Sequence, residues 1–392
     1  MKFRKSKIFK WIDERYEITP LVDYMSKKDV PLGSENLWKY RKEMPFSEFL
    51  HRLIHRHYLW YYFGGITLFL FIVLIISGFL LLFHYKGGVD TAYDSVKDMI
   101  SNVEFGWLIR SVHSWAANLM ILAAFIHMFS VLFTKAYRKP RELTWVTGVF
   151  ILALSMGAGF TGYLLPWNKL SYFAVQIGTD MMKGIPLIGD YLLEVLRGGN
   201  QISGATLHRF LGLHVAIIPL GIVILVGIHL LFIQRQGISE PMEIETGKAK
   251  MKELTGVELN IKTMKFFPNF ILRDLVVWLI VLNILVLLAV FFPWELGEKA
   301  DPLAPPPPNL KPEWFFLAMY VVIELVPIRV ALIFFGILGI TWLLIPFWDR
   351  KASRGEKSNF VLIFGIVFTV LFVILTIIGY LFPTNWFSKL HF

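Results

Sequence analysis

The chain has 392 residues, 56% of them hydrophobic and only 17% charged, with 35 Phe and 13 Trp. Soluble domains carry nearer 25% charge, so this balance excludes an ordinary water-soluble fold and points to a membrane solvent rich in interfacial rings. No cysteine is present, which excludes disulfides, iron–sulfur ligation, Cys-zinc sites and thioether attachment of a cofactor through this chain.

Residues 1–57 are charged and lack an apolar core, so they are expected to form a basic leader with an amphipathic surface helix and not a signal peptide. Seven apolar stretches follow, at 60–84, 112–134, 145–165, 210–233, 272–293, 328–348 and 360–382. Each is long enough to supply the roughly 20 residues that cross a bilayer core. Backbone groups in lipid must be satisfied within the segment, so an all-α polytopic membrane protein with seven transmembrane helices is predicted. The first four helices (58–236) form one domain, and three helices form a C-terminal domain (271–392). A basic linker at 237–270 joins them.

The leader, the loop 135–142, the segment 235–273 and residues 350–357 together hold 28 of the 39 Lys and Arg. These connections alternate to one side. That side is predicted to be cytoplasmic, with the N-terminus inside and the C-terminus outside. The net charge of +10 then reflects topology and lipid headgroups, not nucleic acid. Three longer connections, 85–111, 166–209 and 294–327, lie opposite and are the expected place for chemistry that needs irregular backbone.

Four of the ten histidines fall within two predicted spans. His113 and His127 are 14 residues apart on the second, and His214 and His229 are 15 apart on the fourth. These spacings return near one helix face after about 21 and 22 Å. One helix intervenes, so the two run in the same direction, and His113 pairs with His214 and His127 with His229. Each pair suits bis-imidazole ligation of one haem, giving two non-covalent b-type haems in a four-helix di-haem bundle. A single intramembrane His is as readily a hydrogen-bonded core group; four in matching pairs are not. Gly64 and Gly78, and Gly148 and Gly162, repeat the 14-residue period on the first and third helices, leaving room where a haem edge approaches. Arg110 sits one turn before His113, placed either as an interfacial anchor or as a partner for a haem propionate.

These residues resemble cytochrome b of the Rieske/cytochrome b complexes, over nearly all of 45–385. The matching segments include Phe105-Gly106-Trp107-Leu108-Ile109-Arg110-Ser111-Val112-His113, Gly162-Tyr163-Leu164-Leu165-Pro166-Trp167 and Pro312-Glu313-Trp314-Phe315. The last is similar to the family's Pro-Glu-Trp-Tyr quinol motif, with Phe315 in the fourth place. The pattern is similar to the photosynthetic branch and its bacterial relatives, with that branch's four-helix and three-helix pieces fused. Tyr62 stands where that branch has a haem-tethering cysteine, so a third, covalent haem is not expected. Glu324 replaces an expected arginine and Gln234 an expected basic residue.

The resemblance implies the catalytic subunit of a quinol–cytochrome c reductase-type complex in a bacterial inner membrane, coupled to proton translocation. Its implied partners are quinol and quinone, a Rieske iron–sulfur protein, a c-type cytochrome, lipid and a second copy of the complex. Glu313, in apolar surroundings, is placed to take a quinol proton, with Pro312, Trp314, Phe315 and Tyr163 walling the outer site. Arg52, His55 and His57 are candidates at the cytoplasmic quinone site, interfacial anchoring being their plainer role. Two other classes share part of this pattern: a di-haem membrane anchor for a peripheral dehydrogenase, and a transporter with structural histidines.

Overall fold

The computed structural model describes residues 29–31, 60–239, 263–353 and 359–384. In chain order the helices are α1 (Tyr62–Leu82), α2 (Ala92–Asn102), α3 (Gly106–Phe133), α4 (Glu142–Tyr163), α5 (Lys169–Asp180) and α6 (Gly189–Arg197). They continue with α7 (Gly204–Gln236), α8 (Phe266–Phe291), α9 (Trp314–Leu325), α10 (Ile328–Leu343) and α11 (Phe360–Leu381). One short antiparallel pair joins β1 (Asp29–Pro31) to β2 (Thr263–Lys265). Except for β1, the predicted leader, including Arg52, His55 and His57, lies outside the described residues, as does most of the predicted linker.

Among the described residues six helices, α1, α3, α4, α7, α8 and α11, are long and apolar enough to cross a membrane. Their outward residues are apolar as well: Ile76, Leu220, Leu279 and Ile363 are each more than half exposed, the surface of a protein whose solvent is lipid. The stretch at 328–348, expected as a seventh continuous span, is helical over the 16 residues of α10 and resumes as a single turn at Ile345–Trp348. The cause is Pro346, which has no N–H for the Trp342 carbonyl. That carbonyl instead accepts the Trp145 indole N–H at 2.9 Å.

α1 packs along α3, α4 along α7 and α9 along α11, while α8 lies against both α1 and α3. Leu70, Met120, Ile121, Ile222, Leu285 and Phe315 meet in the shared core. The bundle has a loop end, carrying 83–105, 164–203 and 292–313, and a linker end, where α1 begins and α7 stops. Loop-end segments of the two halves are stitched backbone to backbone: Lys169 N–H donates to the Glu298 carbonyl at 2.8 Å and Ala300 N–H to Trp167 at 3.0 Å. Trp115 donates to the Phe292 carbonyl at 2.8 Å. At the linker end the buried Tyr137 hydroxyl donates to Asp349 at 2.7 Å. Both ends of the C-terminal half are thus tied to the four-helix part by partners that the backbone alone would leave unpaired.

Candidate functional site

α3 and α7 run parallel and bring the four histidines into two pairs. The His113 and His214 rings are 6.2 Å apart between centroids, with planes at 75°. His127 and His229, deeper towards the linker end, are close enough to interact electrostatically. The unequal spacings, 14 residues on α3 and 15 on α7, have a local cause. His214 lies in a π-helical turn, Leu213–Ile217, in which the Ile218 N–H reaches back to the Leu213 carbonyl. Pro219 follows and lacks an N–H, which favours the wider turn. One extra residue is absorbed there, so 15 residues on α7 match 14 on α3.

Each of the four periodic glycines lies against one of these rings. A Cβ at Gly64 would stand 3.1 Å from His127 Cε1, one at Gly78 3.3 Å from His113 Cε1 and one at Gly148 3.3 Å from His229 Cε1. At Gly162 it would overlap the His214 ring. These are the glycines expected to leave room for a cofactor edge, and each stands beside a histidine expected to hold that cofactor. α1 thereby seats both histidines of α3, and α4 both of α7.

Hydrogen bonds on the far side of three of the four rings, those of His113, His214 and His229, fix their protonation. His214 Nδ1 lies 3.0 Å from the Ala158 carbonyl, which can only accept. His113 Nδ1 lies 2.9 Å from Ser77 Oγ, and His229 Nδ1 2.9 Å from Thr147 Oγ1. With Nδ1–H as donor, Nε2 is left bare, the form that ligates a metal. With a metal–nitrogen bond of about 2.0 Å, two imidazoles sharing one iron stand roughly 6.3 Å apart between centroids, close to the 6.2 Å of His113 and His214. Among the described residues no cluster of three or more His, Cys, Asp or Glu could hold a bare metal ion. Paired ligands with bare Nε2 fit a metal whose other ligands belong to a macrocycle, and the residues present therefore fit haem.

A cavity of about 520 Å³ opens beside the loop-end pair and is lined by His113, His214, Gly78, Gly162 and Arg110. Tyr163, Glu313 and Phe315 line the same cavity, so the predicted haem-pair and quinol-site residues share one space. Arg110 is buried and donates to the Trp294 carbonyl and, at 3.0 Å, to that of Glu295, anchoring the 292–300 segment over the cavity mouth. Glu313 is the N-cap of α9, but its side chain makes no capping bond. Burial pushes its carboxyl above the ordinary range, and Tyr163 is near enough to interact with it. Phe315 is buried against Gly159. Trp314 turns away: its indole donates to Asn118 Oδ1 at 2.9 Å. Pro312 sets the chain before the cap and does not line the cavity.

Two kinds of residue were missed from sequence. The hydroxyls of Ser77 and Thr147 are one, each immediately before a periodic glycine. The other is Asp274, whose carboxylate lies against Gly65 at the linker end, with Oδ1 buried and without a hydrogen-bond partner among the described residues. Its signal was present, a carboxylate inside an apolar span.

Fold and site together define a polytopic membrane protein that stacks two imidazole pairs inside a four-helix bundle, with an acid-bearing cavity at one end. Residues 52–237 match the family model for cytochrome b/b6/petB, and 299–391 that for cytochrome b(C-terminal)/b6/petD. A cytochrome bc complex cytochrome b subunit from Chlorobaculum thiosulfatiphilum is 43% identical over 362 residues, 91% of this chain and 77% of the relative. Cytochrome b6 of Synechococcus sp. (strain JA-3-3Ab) is 40% identical over 237 residues, 60% of this chain and 100% of the relative. Among solved structures, a chain of a hyperthermophilic respiratory complex III superposes with a TM-score of 0.78 at 28% identity, covering 97% of this chain and 93% of that one. The chain belongs to the cytochrome b family, in a form that fuses the b6-like and C-terminal parts.

Proposed function

We propose that this chain is the cytochrome b subunit of a quinol:cytochrome c, or equivalent acceptor, oxidoreductase complex. Quinol is oxidised at the loop end, and electrons leave towards a quinone site at the linker end. The observation that carries this reading is the single cavity in which the His113/His214 pair, Glu313, Tyr163 and Phe315 meet. His113 and His214 would hold one b-type haem, and His127 and His229 a second. When bound, these groups supply reversible one-electron storage on a path across the membrane.

The protein's own residues do the rest. A quinol releases two electrons and two protons. Glu313, ionised, accepts a proton from a quinol hydroxyl at the cavity wall. Its raised pKa makes it a better base than a solvated carboxylate, provided the pH keeps it ionised. Phe315, Tyr163 and the 292–300 segment exclude water and hold the ring. Arg110 keeps that segment in place and offers its guanidinium charge to a haem propionate. One electron passes to an iron–sulfur partner of Rieske type and on to a c-type cytochrome. The other passes inward along the two histidine pairs. Asp274 stands at the linker end as a carboxyl group that, when protonated, can deliver a proton to quinone and recover one from the inner side.

With the loop end on the outer face of a bacterial inner membrane, protons are released outside and taken up inside, and turnover builds a gradient. The domain division at 237–270, the inside N-terminus and a dimeric complex belong to the same reading. A Glu313→Gln variant tests it: both haem signals stay and quinol turnover falls. Unchanged quinol turnover would remove Glu313 from the mechanism. A di-haem anchor for a peripheral dehydrogenase would need no acid in this cavity.

A further inference from the structure

Resting on the haem reading above, we propose that Ser77 and Thr147 are positioning residues, each for one histidine that would hold a haem. Ser77 holds His113 and Thr147 holds His229, so that each hydroxyl sets the redox potential of one haem independently of the other.

The two residues occupy equivalent places. Ser77-Gly78 lies on α1 and Thr147-Gly148 on α4. In both dipeptides the glycine makes room for the imidazole Cε1, at 3.3 Å from an ideal Cβ, while the preceding hydroxyl meets Nδ1 at 2.9 Å. A hydroxyl has one proton and two lone pairs. Ser77 donates its proton to its own helix at the Val73 carbonyl, 2.7 Å away. Thr147 donates within its helix, between the Leu143 and Thr144 carbonyls, each at 3.0 Å. What each presents to the imidazole is therefore an acceptor, and the ring must donate. Ring plane and tautomer are thus both determined from outside the helix that bears the histidine.

The other two histidines are held differently. His214 uses the Ala158 carbonyl, and His127 Nδ1 has no partner among the described residues. Each pair consequently has one ligand held by a hydroxyl, and the two hydroxyls come from different helices. An acceptor on Nδ1–H makes Nε2 more basic, which favours the oxidised metal and lowers the potential. Removing the hydroxyl raises it.

The test is a potentiometric titration of the assembled complex, followed by visible and EPR spectra of the two haems. Ser77→Ala should move only the loop-end haem to higher potential and Thr147→Val only the linker-end haem. The change expected in the oxidised-to-reduced ratio at fixed potential is threefold to tenfold, tenfold being about 59 mV for one electron. Thr147→Ser should restore the original value. Ser155→Ala is the matched control: Ser155 is buried on α4 and bonds back to the Ile151 carbonyl at 2.8 Å without reaching an imidazole, so neither potential should move. Unmoved potentials in both variants, or equal shifts of both haems, would overturn the proposal. So would loss of haem from both variants, because the hydroxyls are assigned tuning and not retention. Absence of b-type haem from the unaltered protein would instead remove the underlying haem reading.

Discussion

At the loop end, both histidines have a bonded Nδ1, the pair borders a cavity, and the acid in that cavity stands on a break between loop and helix. At the linker end, one histidine of the pair has no Nδ1 partner, and the carboxylate found nearby, Asp274, belongs to the regular helix α8. The loop end is built from irregular backbone that both halves contribute and cross-link. Such backbone can shape a pocket for an exchanging substrate, because its polar groups are satisfied by the other half rather than by lipid. The linker end carries its histidine pair on regular helices, which under the proposed function need only store and pass electrons. A division of chemistry between the two ends follows, and it can be attacked at several points.

The largest effect is expected from His214→Leu. Removing one loop-end ligand should eliminate one of two b-haem signals, leave the linker-end signal, and abolish quinol-driven electron transfer. Loss of both signals would show that the ends are not independent. Next comes Glu313→Gln, which should lower quinol turnover by about 10²–10⁴-fold. The pH dependence gives the sign. Burial raises the Glu313 pKa, so the ionised base is lost as pH falls through a value above the usual ~4.3 for glutamate. Turnover should decline on that acid limb in the unaltered protein, and the limb should be absent from the Gln variant.

A smaller effect should come from Gly162→Ala. Its Cβ would overlap the His214 ring, and overpacking of this kind costs about 1–3 kcal/mol, read as lower thermal stability and weaker haem retention. Gly78→Ala, whose Cβ would stand a tight 3.3 Å from His113 Cε1 without overlapping it, should be milder in the same assay. Least of all should come from Lys299→Ala, which removes an exposed ion pair to Asp94 at 2.8 Å. Exposed pairs contribute about 0–1 kcal/mol, and the backbone stitching beside it remains. A large stability loss in this variant would mean that the seam depends on charge.

Much of this was legible in the sequence because lipid simplifies it. Long apolar runs marked all six spanning helices within about six residues at either end, and the 14-residue glycine period pointed to the two helices that seat the histidines. The misreadings have local causes. A proline two residues before the end of the 328–348 stretch divided it, and only the structure shows the Trp145 indole taking over the freed carbonyl. The 15-residue spacing on α7 looked like ordinary helix, while Pro219 and a π turn were absorbing the extra residue. The Nδ1 partners were out of reach for a different reason. Ser77 lies 36 residues from His113, and Thr147 lies 82 from His229, and helix periodicity says nothing about which face meets which. Asp274 was overlooked although its chemistry was visible.

The central claim is that two imidazole pairs on α3 and α7 hold two separate redox centres, only one of which shares its cavity with the quinol acid. A potentiometric titration of the assembled complex, monitored in the b-haem bands, tests it most directly. The unaltered protein should show two one-electron transitions with low-spin, bis-imidazole spectra, and His214→Leu should retain only one. A single transition in the unaltered protein, or two that both survive His214→Leu, would contradict the account.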